Sequence, residues 1–155
     1  MMTSLIAAIL FQATPPAAAV CAAPVTPPAG LEAWSTVSGI ATDPIEAGRP
    51  TDMKLQPVAV LTFALPPERS PTPGTFGGVY HVTIATAGTY RIALAAGAWI
   101  DLVRDGEAVA TSGHMEGAPC SGIRKIVDFV LDPGTYTLQL SGAKTADMRL
   151  LIAAK

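Results

Sequence analysis

From Phe76 to the end of the chain, apolar and polar positions alternate in short runs separated by turn residues. A period of two is the pattern of a half-buried strand, whose successive side chains face opposite sides of a sheet. The runs predict strands at 78–85, 89–95, 98–104, 107–111, 124–131, 135–141 and 146–153. Two further candidates precede them: Met53 to Gln56, which Pro57 confines to an edge or an end, and Val58 to Ala64. Leu31 to Val37 reads either as a first strand or as an irregular segment carrying Trp34 into a core. Beyond the N-terminal segment no window of ten residues keeps a helical period. Evenly spaced short strands joined by turns predict an all-β fold, an antiparallel β-sandwich or jelly roll of about eight strands.

One phrase occurs twice. Gly88-Thr89-Tyr90-Arg91-Ile92-Ala93-Leu94 and Gly134-Thr135-Tyr136-Thr137-Leu138-Gln139-Leu140 each open on a turn glycine and continue as an alternating run. Each follows another apolar run, Val79 to Ile84 and Ile126 to Leu131, so each is expected to be the second strand of an antiparallel pair. A tyrosine just past a turn often buries its ring and hydrogen-bonds its hydroxyl to nearby backbone, which gives Tyr90 and Tyr136 structural roles. Asp105-Gly106 fits a two-residue type I′ turn. Pro66 to Gly74 and Gly113 to Gly122 are expected to be long loops.

Composition narrows the classes. The chain has 155 residues, enough for one domain, and half are apolar while 14% are charged. That supplies a core and leaves no case for disorder in the body. The net charge is −2, with no basic patch. Nucleic-acid binding is discarded on that ground, as is a membrane-surface role through basic residues.

The first 31 residues carry no charged side chain. The apolar run Leu5 to Phe11 is too short to span a bilayer and fits the apolar region of a secretory signal. Ala17-Ala18-Ala19 and Val20-Cys21-Ala22 both offer small residues for cleavage. The expected division is a signal peptide over 1–19, a Pro-rich linker over 20–30 and a sandwich over 31–155, in a periplasmic or secreted protein with no membrane span after processing. A lipoprotein anchor on Cys21 fits less well, because Val20 stands where a small residue is wanted. In an exported protein the two cysteines, Cys21 and Cys120, suggest one disulfide. Cleavage after Ala22 would instead discard Cys21 and leave Cys120 as a lone thiol.

Over 78–95 and 124–141 the repeated phrase resembles the final hairpins of small bacterial β-sandwich modules of the pre-peptidase C-terminal kind. Over roughly 74–141 the chain is also similar to a group of small exported bacterial proteins. The matching pieces are Phe76-Gly77-Gly78-Val79-Tyr80, Gly88-Thr89-Tyr90-Arg91, Gly97-Ala98-Trp99-Ile100-Asp101 and Cys120-Ser121-Gly122-Ile123-Arg124-Lys125. Some members of that group carry the label homogentisate dioxygenase. The resemblance implies a ring-cleaving, non-haem iron enzyme, which needs two His and one carboxylate on one side of the metal. His81 and His114 are the only histidines, and Glu116 follows closely. An extended backbone over 113–117 would point His114 and Glu116 the same way. The His-x-His…Glu pattern of the cupin domain that holds iron in the authentic enzymes does not occur. The plainer readings are His81 as an outward residue on its strand and His114 as a solvated loop residue.

Other enzyme signatures are missing: there is no Gly-x-Ser-x-Gly elbow and no Gly-rich phosphate loop before a helix. The two Cys and two His lack the spacing of a zinc site. A binding reading has more support. On the strand from Ala98 to Arg104, a core face of Ile100 and Leu102 puts Trp99 and Asp101 together outside. An aromatic ring beside a carboxylate suits a sugar. The structural alternative buries Trp99 and pairs Asp101 with Arg91, Arg104 or Lys125. Arg124-Lys125 suits an acidic ligand or pairs with Asp128 and Asp132. The leading expectation is a non-catalytic binding or accessory module of the cell envelope. It takes a small molecule or glycan, carbohydrate first, through Trp99, Asp101, Arg124 and Lys125, with no cofactor. The alternative is the dioxygenase, with His81, His114 and Glu116 on iron.

Overall fold

The computed structural model describes residues 21–23 and 25–155, so the expected signal segment lies outside the described residues. The strands are β1 (Gly39–Ile40), β2 (Thr51–Lys54), β3 (Gln56–Pro57), β4 (Phe76–Ile84), β5 (Gly88–Leu94), β6 (Trp99–Arg104), β7 (Glu107–Val109), β8 (Thr111–Met115), β9 (Lys125–Leu131), β10 (Gly134–Ala143) and β11 (Asp147–Ala154). A six-stranded sheet in the order β1-β2-β11-β5-β9-β8 faces a five-stranded sheet in the order β3-β4-β10-β6-β7. Strand neighbours are antiparallel except β1 and β2, which run parallel. The expected β-sandwich is present, with eleven described strands where about eight were predicted. The excess lies at sheet edges: β1 and β3 have two residues each, too few for a period to register, and β8 runs into the stretch expected to be a loop.

The repeated phrase does something other than the hairpin its pattern predicts. β4 and β5 lie in opposite sheets, and so do β9 and β10. β5 pairs with β9, from Gly88 opposite Leu131 to Leu94 opposite Lys125. β4 pairs with β10, where Ile84 lies opposite Gly134 and Gly78 opposite Leu140. Each short connection therefore crosses the sandwich, and the two crossings lie side by side at one end. Alternation says which face of a strand is buried and nothing about its partner, so hairpin and crossing look alike in sequence. The tyrosines act alike at both crossings. Tyr90 donates its hydroxyl to the Thr86 carbonyl at 2.9 Å, and Tyr136 donates to the Asp132 carbonyl at 2.8 Å. Each ring is in the core while its hydroxyl holds the crossing four residues back.

The main core lies between the sheets, around Phe129, Ile92, Leu94, Leu138, Leu140, Leu150 and Ile152. Fully burying side chains of this size stabilises the fold by roughly 1.5–3 kcal/mol each. A second, smaller cluster sits on the outer face of the six-stranded sheet. There Leu31 and Trp34, the latter in a 3-10 turn over Glu32–Ser35, cover Ala93, Ile126, Leu151 and Ala153. The irregular alternative for 31–37 is thus the correct one. Cys21 is bonded to Cys120, with Cα atoms 5.6 Å apart, which ties the start of this cover down. Arg91, buried beside Asp128 at 3.3 Å, donates from Nη1 to the Ala29 carbonyl at 2.6 Å. The linker thus leads into a fixed cover.

Val58 to Ala64 forms no strand: a 3-10 turn over Val58–Val60 is followed by irregular chain. The run is apolar for another reason. It crosses the outer face of the five-stranded sheet as a strap, with Leu61 against Gly77 and Leu65 joined to Gln139. At the far edge the predicted I′ turn is present, with φ of 53° at Asp105 and 79° at Gly106. Arg104 and Glu107 face each other across it. The chain then changes sheets at Ala110, and β8 occupies the first part of the stretch expected to be a loop from Gly113.

Candidate functional site

The outer face of the five-stranded sheet carries an unusual row of polar residues. β10 and β6 place Gln139 opposite Asp101 and Ser141 opposite Trp99. Period two on β6 is as expected: Ile100 and Leu102 enter the core, and Trp99 and Asp101 share the other face. That face is not open. The strap lies over it and leaves a cleft of about 510 Å³ between strap and sheet. Leu65, Pro66 and Glu68 form the strap wall; Asp101, Val103 and Gln139 form the sheet wall; Ala108 to Thr111 close the side.

Gln139 is 1% exposed, and its amide is satisfied. It accepts from Leu65 N–H and donates to Leu65 C=O, both at 3.1 Å. Asp101 differs. Among the described residues, Asp101 Oδ2 and Ser141 Oγ are buried side-chain oxygens without a hydrogen-bond partner. Burial pushes the Asp101 carboxyl above its ordinary value. The Glu68 backbone N–H opposes that rise, the Glu68 carboxylate adds to it, and the Lys125 ammonium offsets it. A buried carboxylate oxygen without a donor is costly, and such groups concentrate at functional sites.

Trp99 is flanked by cations. Lys125 Nζ lies 4.6 Å from its ring centroid, and Arg69 Cζ lies 5.3 Å away. Lys125 comes from the other sheet and also donates to the Ala98 carbonyl at 2.8 Å. Burial lowers its pKa, against the charges of Asp101 and Glu68. Trp99, Asp101 and Lys125 thus converge. The ring, however, is half-buried and engaged by two cations, so the open aromatic platform expected from the sequence is corrected to a braced one.

Arg124 stands apart from this group. It pairs with Glu116 at 2.7 Å on the surface, beside a hollow near the disulfide. The partners expected for the basic pair, Asp128 and Asp132, are not used by it: Asp128 is held by Arg91 and Lys155. His81 faces outward from β4, its Nδ1 3.0 Å from the accepting Asp43 carboxylate. His114 is exposed on β8, the edge strand of the opposite sheet. Among the described residues no three His, Cys, Asp or Glu side chains are placed to hold one metal ion. His81, His114 and Glu116 are therefore not brought together.

Sequence reading missed Glu68, Arg69 and Gln139. Gln139 sits between two core leucines and so must face outward. The signal for its burial was the apolar run 58–65, which has to lie on something. No protein-family model matches the chain, and no curated protein or solved structure does either.

Proposed function

We propose that the protein is an exported, non-catalytic binding module of the cell envelope, and that its ligand, a glycan or sugar-sized small molecule, enters the cleft under the strap. The observation that carries this reading is the cleft itself, with Asp101 on its wall, a carboxylate whose Oδ2 has no hydrogen-bond partner among the described residues. Ligand pockets commonly run from about 300 to 1,000 Å³, mostly apolar with a few polar groups that fix orientation. The cleft, at about 510 Å³, has that character. A ligand hydroxyl would donate to the Asp101 carboxylate, while Leu65, Pro66 and Val103 would cover an apolar sugar face. Trp99, braced by Lys125 and Arg69, does not line the cleft and would not stack on the sugar ring. A disulfide between Cys21 and Cys120 suits an oxidising compartment and supports export. Among the described residues no helix is long and apolar enough to cross a membrane.

Tryptophan fluorescence of the protein, titrated with a broad panel of mono- and disaccharides, tests the reading. A saturable response is expected, and Ala108→Phe, which fills the cleft from its side, should remove it. No response to any sugar, or an undiminished response in Ala108→Phe, would overturn the assignment.

A further inference from the structure

We infer that the cleft selects a glycan bearing a protonated amine, so that an amino sugar is bound in preference to its neutral or N-acetylated counterpart. The inference rests on the cleft being the binding site and adds the chemistry of what fills it. Three observations carry it.

Asp101 and Glu68 are the charged side chains lining the cleft, one from the sheet and one from the strap, and both are acidic. The neighbouring cations stay outside the cleft, although the charge of Lys125 acts on both carboxylates. Lys125 lies against the Trp99 ring and donates to Ala98, and Arg69 lies over the same ring. Neither lines the cleft. Finally, Oδ2 of Asp101 has no hydrogen-bond partner among the described residues, so the carboxylate keeps unused acceptor capacity.

The three substituents an ordinary hexose can carry at one position behave differently here. A hydroxyl is one donor with lone pairs of its own, which would face the Glu68 and Asp101 oxygens. An acetamido group brings a carbonyl, an acceptor, into a site already rich in acceptors. An ammonium group has donors only and carries the charge opposite to that of both carboxylates. Charge-assisted hydrogen bonds are roughly twice as strong as neutral ones, and partial burial strengthens them further. Val103, Ala108 and Leu65 supply the apolar wall along which the sugar body would lie.

Three β-1,4-linked disaccharides that differ only at C2 separate the possibilities: the glucosamine disaccharide, its N-acetylated form and cellobiose. Calorimetric titration at mildly acidic pH, where the sugar amines are protonated, should show the glucosamine disaccharide binding about tenfold or more tighter than either other, the difference one charged hydrogen bond makes. Asp101→Asn, which keeps the side-chain shape, should bring the three to within a few-fold of each other. Glu68→Gln, on the exposed strap, should reduce the preference without removing it. Equal affinity for cellobiose and the glucosamine disaccharide in the unaltered protein would overturn the amine assignment and leave the glycan reading standing. An amine preference that persists in Asp101→Asn would overturn the assignment of Asp101. Binding of none of the three would overturn the glycan reading along with it.

Discussion

The side-chain amide of Gln139 and the backbone of Leu65, 74 positions apart, exchange two hydrogen bonds, each 3.1 Å long. Gln139 thereby pairs with the strap as a neighbouring strand would. Gln139→Leu keeps the bulk and loses both bonds, and it should destabilise the fold by about 1–3 kcal/mol. Hydrogen exchange over Leu65 to Gly74 should quicken at the same time. Unchanged exchange in the variant would mean that the strap is held by something other than this pair.

Tyr90 and Tyr136 provide a matched comparison. Tyr90→Phe removes one hydrogen bond, to Thr86, and should cost about 1 kcal/mol. Tyr136 does more: it donates to Asp132 C=O, accepts from Asp132 N–H at 3.1 Å, and accepts from Arg104 at 2.9 Å. Tyr136→Phe should therefore cost more, about 2 kcal/mol. Denaturant unfolding of the two single variants checks the order, and equal losses would contradict it.

The disulfide closes a separation of 99 residues. Replacing both Cys21 and Cys120 by Ser should lower stability by about 4–5 kcal/mol on the chain-entropy account, which is a large part of a domain's net stability. Reductant should lower the unfolding midpoint of the unaltered protein and leave the double variant's midpoint in place. A double variant as stable as the parent would assign the N-terminal cover to Leu31 and Trp34 alone.

Two aspartates should respond to pH with opposite signs. The Asp101 carboxyl lies above its ordinary value of 3.8 in the folded state, first because of burial. As pH rises past that ordinary value, the unfolded chain ionises first, so this group's contribution to stability falls until the folded group has ionised too. Asp101→Asn does not titrate and should be the more stable protein at neutral pH, the gap closing below about pH 3.8. Asp52 is the reverse. Hydrogen bonds from Arg149 and Ser38 hold it down to about 2. Its contribution is present above pH 3.8 and is lost as pH falls through about 2, and its half-exposed setting keeps that contribution small. Acid unfolding curves of Asp101→Asn and Asp52→Asn should therefore deviate from the parent in opposite directions.

Much of the fold was legible because it depends on local alternation and turn chemistry. The run from Tyr90 to Leu94, the Asp105-Gly106 turn and the roles of both tyrosines follow from residues adjacent in sequence. Strand pairing does not, and the crossings at Thr86 and Asp132 were accordingly misread as hairpins. Val58 to Ala64 misled for a related reason, since an apolar run that covers a sheet resembles one that joins it. At the candidate site, Asp101 and Trp99 could be placed on one face by period alone. Their burial could not, because it depends on a strap that arrives from more than thirty residues earlier.

The double crossing has a consequence for how the chain folds. Ile84 finds its neighbour in Gly134, and Gly88 finds its neighbour in Leu131. Neither the stretch through β6 nor the stretch from β9 onward contains both members of either central pair. The protein therefore has no half that can fold by itself. Loop closure over these distances must be met before the core rewards it, which favours slow, all-or-none assembly. As the chain is synthesised, β4 and β5 wait for their central partners, β10 and β9, to follow.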